Sequence, residues 1–272
     1  MKKLMISLFI ILTIGFIIYG YLHWKDRTSI SAFNNGTDTD IPEISATNES
    51  DAVNKEVKQE ESSSNMEELT SEWPDEAQES FLKAVSENRP YKMAVIGSGV
   101  LGAGDSGWSD QLKEALQETY GGQLEVEVFE YDMVSIDFLY SAESDEIIEY
   151  APDLVLYEPF TLNDNSGRVA SRDNHRSIEL FLDQLKQANS DVVLMLQPTQ
   201  PLYGATFYPQ QVESLKEFAA ESDIPYLDHW ALWPDSGDEE LLDYVDESKT
   251  VPNEKGHEMW ADYLIDYFIH NP

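Results

Sequence analysis

The chain contains no cysteine, few basic residues and, past its first two dozen positions, no long apolar run. The missing cysteine excludes disulfides, thiolate metal sites, a thiol nucleophile and an acylated lipoprotein cysteine. The shortage of cations is just as telling: 17 Lys and Arg stand against 52 Asp and Glu, a formal charge of −35. Phosphate binding needs clustered Lys and Arg, so nucleic acid is excluded as a partner. A strongly acidic surface favours solubility and loose cation binding, and it suits saline or alkaline surroundings.

The exceptional apolar run lies at the N-terminus. Lys2 and Lys3 precede nineteen uncharged residues, Leu4–Leu22, rich in Ile, Leu and Phe. As a helix they would span roughly 28 Å, about the hydrocarbon thickness of a bilayer. Tyr19, Tyr21 and Trp24 suit a membrane interface, and no good cleavage site follows. Residues 1–27 are therefore expected to be an uncleaved transmembrane anchor, with a cleaved signal peptide as the alternative. The two lysines outweigh the Lys25-Asp26-Arg27 flank, which keeps the N-terminus inside and sends the remainder to the extracytoplasmic side. Residues 28–75, dominated by Ser, Thr, Asn, Asp and Glu, bury too little apolar surface to offset the entropy of ordering and are expected to form a disordered acidic linker.

From residue 76 onward apolar periodicity appears. Helices are expected at Glu76–Ser86, Ser109–Tyr120, Ile178–Ala188, Pro209–Ser222 and Gly256–Ile269. Between them come short strands at Met93–Ile96, Leu124–Glu130, Leu154–Tyr157, Val192–Leu196 and Pro225–Leu227. Strands alternating with helices imply a three-layer α/β/α sandwich with a mostly parallel sheet of about five strands, over residues 76–272. Chemistry in such sheets gathers at the C-terminal ends of the strands.

The loop after the first strand runs Gly97-Ser98-Gly99-Val100-Leu101-Gly102-Ala103-Gly104-Asp105-Ser106-Gly107-Trp108. Gly97, Gly99 and Gly102 match the dinucleotide spacing, but Gly104 to Gly107 would break the helix that must open within the glycines. No Lys-Ser/Thr follows, so a P-loop fails as well, and no cofactor is expected. No His/Asp group has metal-ligand spacing. Other blocks follow later strands: Thr161-Leu162-Asn163-Asp164-Asn165, Gln197-Pro198-Thr199-Gln200-Pro201 and Pro252-Asn253-Glu254-Lys255-Gly256-His257.

Together these blocks resemble the SGNH (GDSL-type) hydrolases, over residues 92–272 and in the family's order. In one register Ser98 stands at the family's serine, with Gly102 and Gly107-Trp108 at its later glycine and Gly-Trp. In the other register Gly97 matches the leading glycine and Gly99 replaces the nucleophile. Asn163-Asp164 is similar to the family's Asn-Asp block, though Asn163-Asp164-Asn165 also reads as a plain turn. The last block matches Pro-Asn-x-x-Gly-His, while Val251 stands at the catalytic histidine and Ser248 at its aspartate. The block that supplies an oxyanion glycine is not evident.

The resemblance implies a flavodoxin-like SGNH fold and a serine esterase or acyl hydrolase. Ser98 would attack an ester carbonyl. His257 would act as base with Glu254 orienting it, and Asn163 would join the Ser98 backbone N–H at the oxyanion. His257 has an alternative role as a helix cap. The substrate would be a small ester or an acylated polymer of the envelope, reached from the membrane. The alternative function is a binding or scaffolding module at the cell surface that uses the hydrolase fold without catalysis. His229 follows a strand end and is a second candidate for the cleft, whereas Trp230, Trp233 and Trp260 are expected in the core.

Overall fold

The computed structural model describes residues 64–270. The expected anchor, and the linker up to residue 63, lie outside the described residues. Among the described residues no helix is long and apolar enough to cross a membrane.

Four strands, β1 (Tyr91–Gly97), β2 (Leu124–Glu130), β3 (Leu154–Tyr157) and β4 (Val193–Leu196), form a parallel sheet in the order β2-β1-β3-β4. The two-residue period of a strand sends alternate side chains to opposite faces. Met93, Val95, Leu154, Leu156, Val193 and Met195 enter one apolar layer; Ala94, Ile96, Val155, Tyr157, Leu194 and Leu196 enter the other. This double burial explains the continuous apolar runs in the sequence.

The first face is covered by α1 (Asp75–Ser86), α2 (Trp108–Tyr120) and α8 (Glu254–Phe268), which contribute Phe81, Leu112, Leu116, Trp260, Leu264 and Phe268. The second carries α3 (Ser135–Leu139), α4 (Ala142–Tyr150), α6 (Ser171–Ala188) and α7 (Tyr208–Glu221). Between β3 and α6 lies one further short helix, α5 (Thr161–Gly167).

The structure departs from the sequence reading in several places. The fifth strand shrinks to a single bridge between Leu196 and Tyr226. Leu196 N donates to Pro225 O, but Pro225 has no N–H with which to extend the ladder. The domain also begins before residue 76. Residues 64–69 are helical, and Trp73 is buried against Phe81, Tyr91, Tyr120 and Phe268, with its indole N–H donating to Phe268 O at 3.0 Å. Met66 and Leu69 pack against the same core, and the polar composition around these few anchors concealed them. Finally, Asn163-Asp164-Asn165 lies inside α5 rather than in an open turn.

Candidate functional site

The site is built where β1, β3 and β4 end. Ser98 follows β1 and precedes a 3₁₀ turn, Gly99–Leu101. It is 3% exposed. Its hydroxyl donates to Glu158 Oε2 at 2.7 Å, and its backbone N–H donates to the same oxygen at 2.9 Å. Glu158, the first residue after β3, is fully buried. Its other oxygen accepts from the Thr199 hydroxyl and, at 3.3 Å, from Thr161 N. One carboxylate thus fastens the loops that leave three strands. Burial raises the Glu158 pKa above the usual carboxylate range, while the hydrogen bonds from Thr199 and Ser98 pull the other way.

The glycines beside Ser98 are not equivalent. A Cβ on Gly97 would lie 2.5 Å from Leu101 Cδ1 and 2.9 Å from Glu158 Cβ, so this position admits no side chain without displacing its neighbours. A Cβ on Gly99 would meet nothing within 4 Å. Of the two residues, then, position 98 faces inward and position 99 faces open space.

His257 sits in the first turn of α8, a helix capped by Asn253, whose side chain accepts from Gly256 N at 3.1 Å. Gly256 is required there, because a Cβ would lie 2.2 Å from Tyr244 O. His257 Nδ1 accepts from Trp108 N at 3.2 Å and so satisfies one free N–H at the start of α2. Burial lowers the His257 pKa, and acceptance at Nδ1 leaves the proton of the neutral ring on Nε2. Glu254 is exposed in the same turn. No hydrogen bond among the described residues joins Ser98 to an imidazole, or Glu254 to His257.

Asn163, on α5, donates its amide to Met133 O at 2.9 Å and to Asp132 Oδ1 at 3.3 Å. The buried Asp164 beside it accepts from Ser135 N, Ser135 Oγ and Asn174 Nδ2. Asn163-Asp164 therefore ties the loop after β2 to α5 and α6. The structure places Ser98, Glu158 and Thr199 together. It does not hydrogen-bond Ser98 to His257, Glu254 or Asn163.

His229 is fully buried, stacked on Trp260 at 4.0 Å between centroids, and Trp260 in turn stacks on Trp108 at 4.7 Å. His229 Nδ1 accepts from Trp233 Nε1 at 2.9 Å, which leaves Nε2–H to donate to Pro198 O at 2.8 Å. Burial drops its pKa to about 3. Among the described residues no group of three or more His, Cys, Asp or Glu is arranged to hold a metal.

Glu158 escaped the sequence reading. A lone Glu between a strand and Pro159 matches no motif, and only its position after an apolar strand, where a charge is costly, marked it.

No protein-family model matches the sequence, and no curated protein does. Solved structures do match in fold. A protein from Desulfitobacterium hafniense DCB-2, described as lipolytic and of the G-D-S-L family, aligns over 65% of this chain and 98% of its own, at 16% identity and a TM-score of 0.51. A carbohydrate esterase of family 3 from Talaromyces cellulolyticus aligns over 64% and 94%, at 13% identity and 0.54. The psychrotrophic esterase EstA from Pseudoalteromonas sp. aligns over 65% and 95%, at 15% identity and 0.51. The C-terminal domain therefore has the parallel α/β fold of the SGNH/GDSL esterases and lipases.

Proposed function

We propose that the protein is a membrane-held, extracytoplasmic binding module that uses the SGNH fold without ester hydrolysis. The observation that carries this reading is the inward hydrogen bond from Ser98 Oγ to the buried Glu158. A serine nucleophile has to present its oxygen to substrate beside a base that takes its proton. Here the hydroxyl and the N–H of residue 98 are both spent on one carboxylate, so that N–H is not offered to an oxyanion. The register that aligns Gly97 with the family's leading glycine agrees with the packing. It puts Gly99, which opens onto free space, at the nucleophile position, and Val251 already stands at the family's histidine.

The test is turnover of p-nitrophenyl acetate by the full-length protein. Hydrolysis no faster than that of the Ser98→Ala variant supports the reading. Turnover abolished by that substitution overturns it.

A second reading, a serine esterase acting on acylated envelope polymers or extracellular esters, is favoured by the 2.7 Å approach of Glu158 to the Ser98 hydroxyl and by the rise in its pKa. In that case Glu158 is the nearest proton acceptor. His257, with Glu254, would first have to leave Trp108 N, and Asn163 would have to leave Met133 O. Activity that survives His257→Ala but not Glu158→Gln would identify this chemistry.

A further inference from the structure

Four large hydrophobic side chains are exposed among the described residues: Tyr140, Phe207, Leu232 and Val251. Phe207 (74% exposed), Leu232 (52%) and Val251 (38%) lie on three loops that follow β4 and precede α8. These loops hold one another. Gln200 Nε2 donates to Thr250 O, Gly204 N donates to Ser236 O, and the rings of Tyr208 and Trp230 lie 5.7 Å apart. The segments that carry the three apolar residues are thus braced against one another rather than loose.

Residues 235–247, the stretch of chain between Leu232 and Val251, carry seven carboxylates, all exposed, and no cation. The nearest positive group in sequence, Lys249, lies over the Tyr203 ring at 5.9 Å. Exposed apolar residues rimmed by charge of one sign are the signature of a partner site, and the sign selects the partner. Anionic lipid and a second copy of this acidic surface would be repelled, and a neutral polysaccharide would leave seven carboxylates unanswered.

We propose that this surface docks a basic, amphipathic polypeptide segment. Apolar side chains of the segment cover Phe207, Leu232 and Val251, and its Lys or Arg side chains face the carboxylates of 235–247. The inference rests on the binding-module reading and supplies its class of partner. Its failure would leave the ester-turnover result untouched, so the two are separable.

The experiment uses the full chain in phosphatidylcholine nanodiscs, with empty discs as background, and a short fluorescent lysine/leucine amphipathic peptide as probe. The peptide is expected to bind at least ~10-fold more tightly than an oligolysine of equal charge. Phe207→Ser/Leu232→Ser should weaken it by ~10-fold or more, since two apolar contacts are lost. Glu239→Gln/Glu240→Gln/Glu247→Gln should flatten the salt dependence of binding. Circular dichroism checks that each variant remains folded. Wild-type affinity in the folded Phe207→Ser/Leu232→Ser variant overturns the proposal. So does equal binding of oligolysine, which would mean plain charge attraction. Self-association of the protein, or adhesion to phosphatidylcholine vesicles, that is abolished by the same double substitution would assign the surface to another occupant and overturn it too.

Discussion

A carboxylate with no solvent contact survives only where donors replace water, and Glu158 has four of them, from Ser98, Thr199 and Thr161. Glu158→Gln keeps the shape but turns an amide NH₂ against at least one of those donors. It is expected to destabilise the domain by about 2–4 kcal/mol, measured by urea denaturation. His229 is the opposite case, a base held neutral. Its folded pKa of about 3 lies below the ordinary value of 6.5, so between those limits the unfolded chain binds a proton that the folded chain refuses. Its contribution to stability is complete above pH 6.5 and is lost as pH falls toward 3. Glu158 and Asp164, whose carboxyls burial raises, act with the other sign: they stabilise less as pH rises above the ordinary carboxylate range. Replacing His229 by Gln should therefore make the loss of stability between pH 6.5 and pH 4 shallower than in the wild type. Equal slopes would mean that His229 titrates normally in the fold.

Among the helices, the block Pro252-Asn253-Glu254-Lys255-Gly256-His257 joins three elements. Asn253 caps α8, Gly256 lets it approach Tyr244, and His257 satisfies the start of α2. Removing the imidazole in His257→Ala leaves Trp108 N without its partner. The expected loss is about 1 kcal/mol, similar to losing an N-cap. Amide exchange should quicken in the first turn of α2 and not in α8. Unchanged exchange at Trp108 would show that this contact does not hold the helix end. The elements themselves were largely legible. Four strands and five helices fall where apolar period and Gly or Pro punctuation put them, because that pattern reports burial directly, except that α6 begins at Ser171, seven residues before its expected start at Ile178. The short helices α3 and α5 were not legible, since their stability comes from tertiary contacts such as Phe138 in the aromatic cluster and Asp164 against Ser135, not from period or propensity; α4 carries local signals, an N-cap at Ser141 and an acidic first turn, that went unread. The site was half legible. The loop blocks lie at the expected strand ends, but the direction in which Ser98 points is decided by Glu158, sixty residues away, which no local pattern announces.

Across the whole molecule, the parallel sheet brings residues distant in sequence to one edge, and the charge imbalance governs the surface. Among the described residues the ion pairs are few, and most carboxylates face water among like charges. Molar sodium chloride should therefore raise the thermal midpoint of the protein relative to dilute buffer, by screening that repulsion. An unchanged or lower midpoint would show that the acidity carries no net strain. The fold is that of esterases, whereas the role proposed for Ser98 is to fasten loops rather than to attack esters. The most direct test is exposure of the full-length protein to a serine-reactive fluorophosphonate, followed by peptide mass spectrometry. Residue 98 is expected to remain unmodified under conditions that label an active serine esterase. A phosphonylated Ser98 would contradict it.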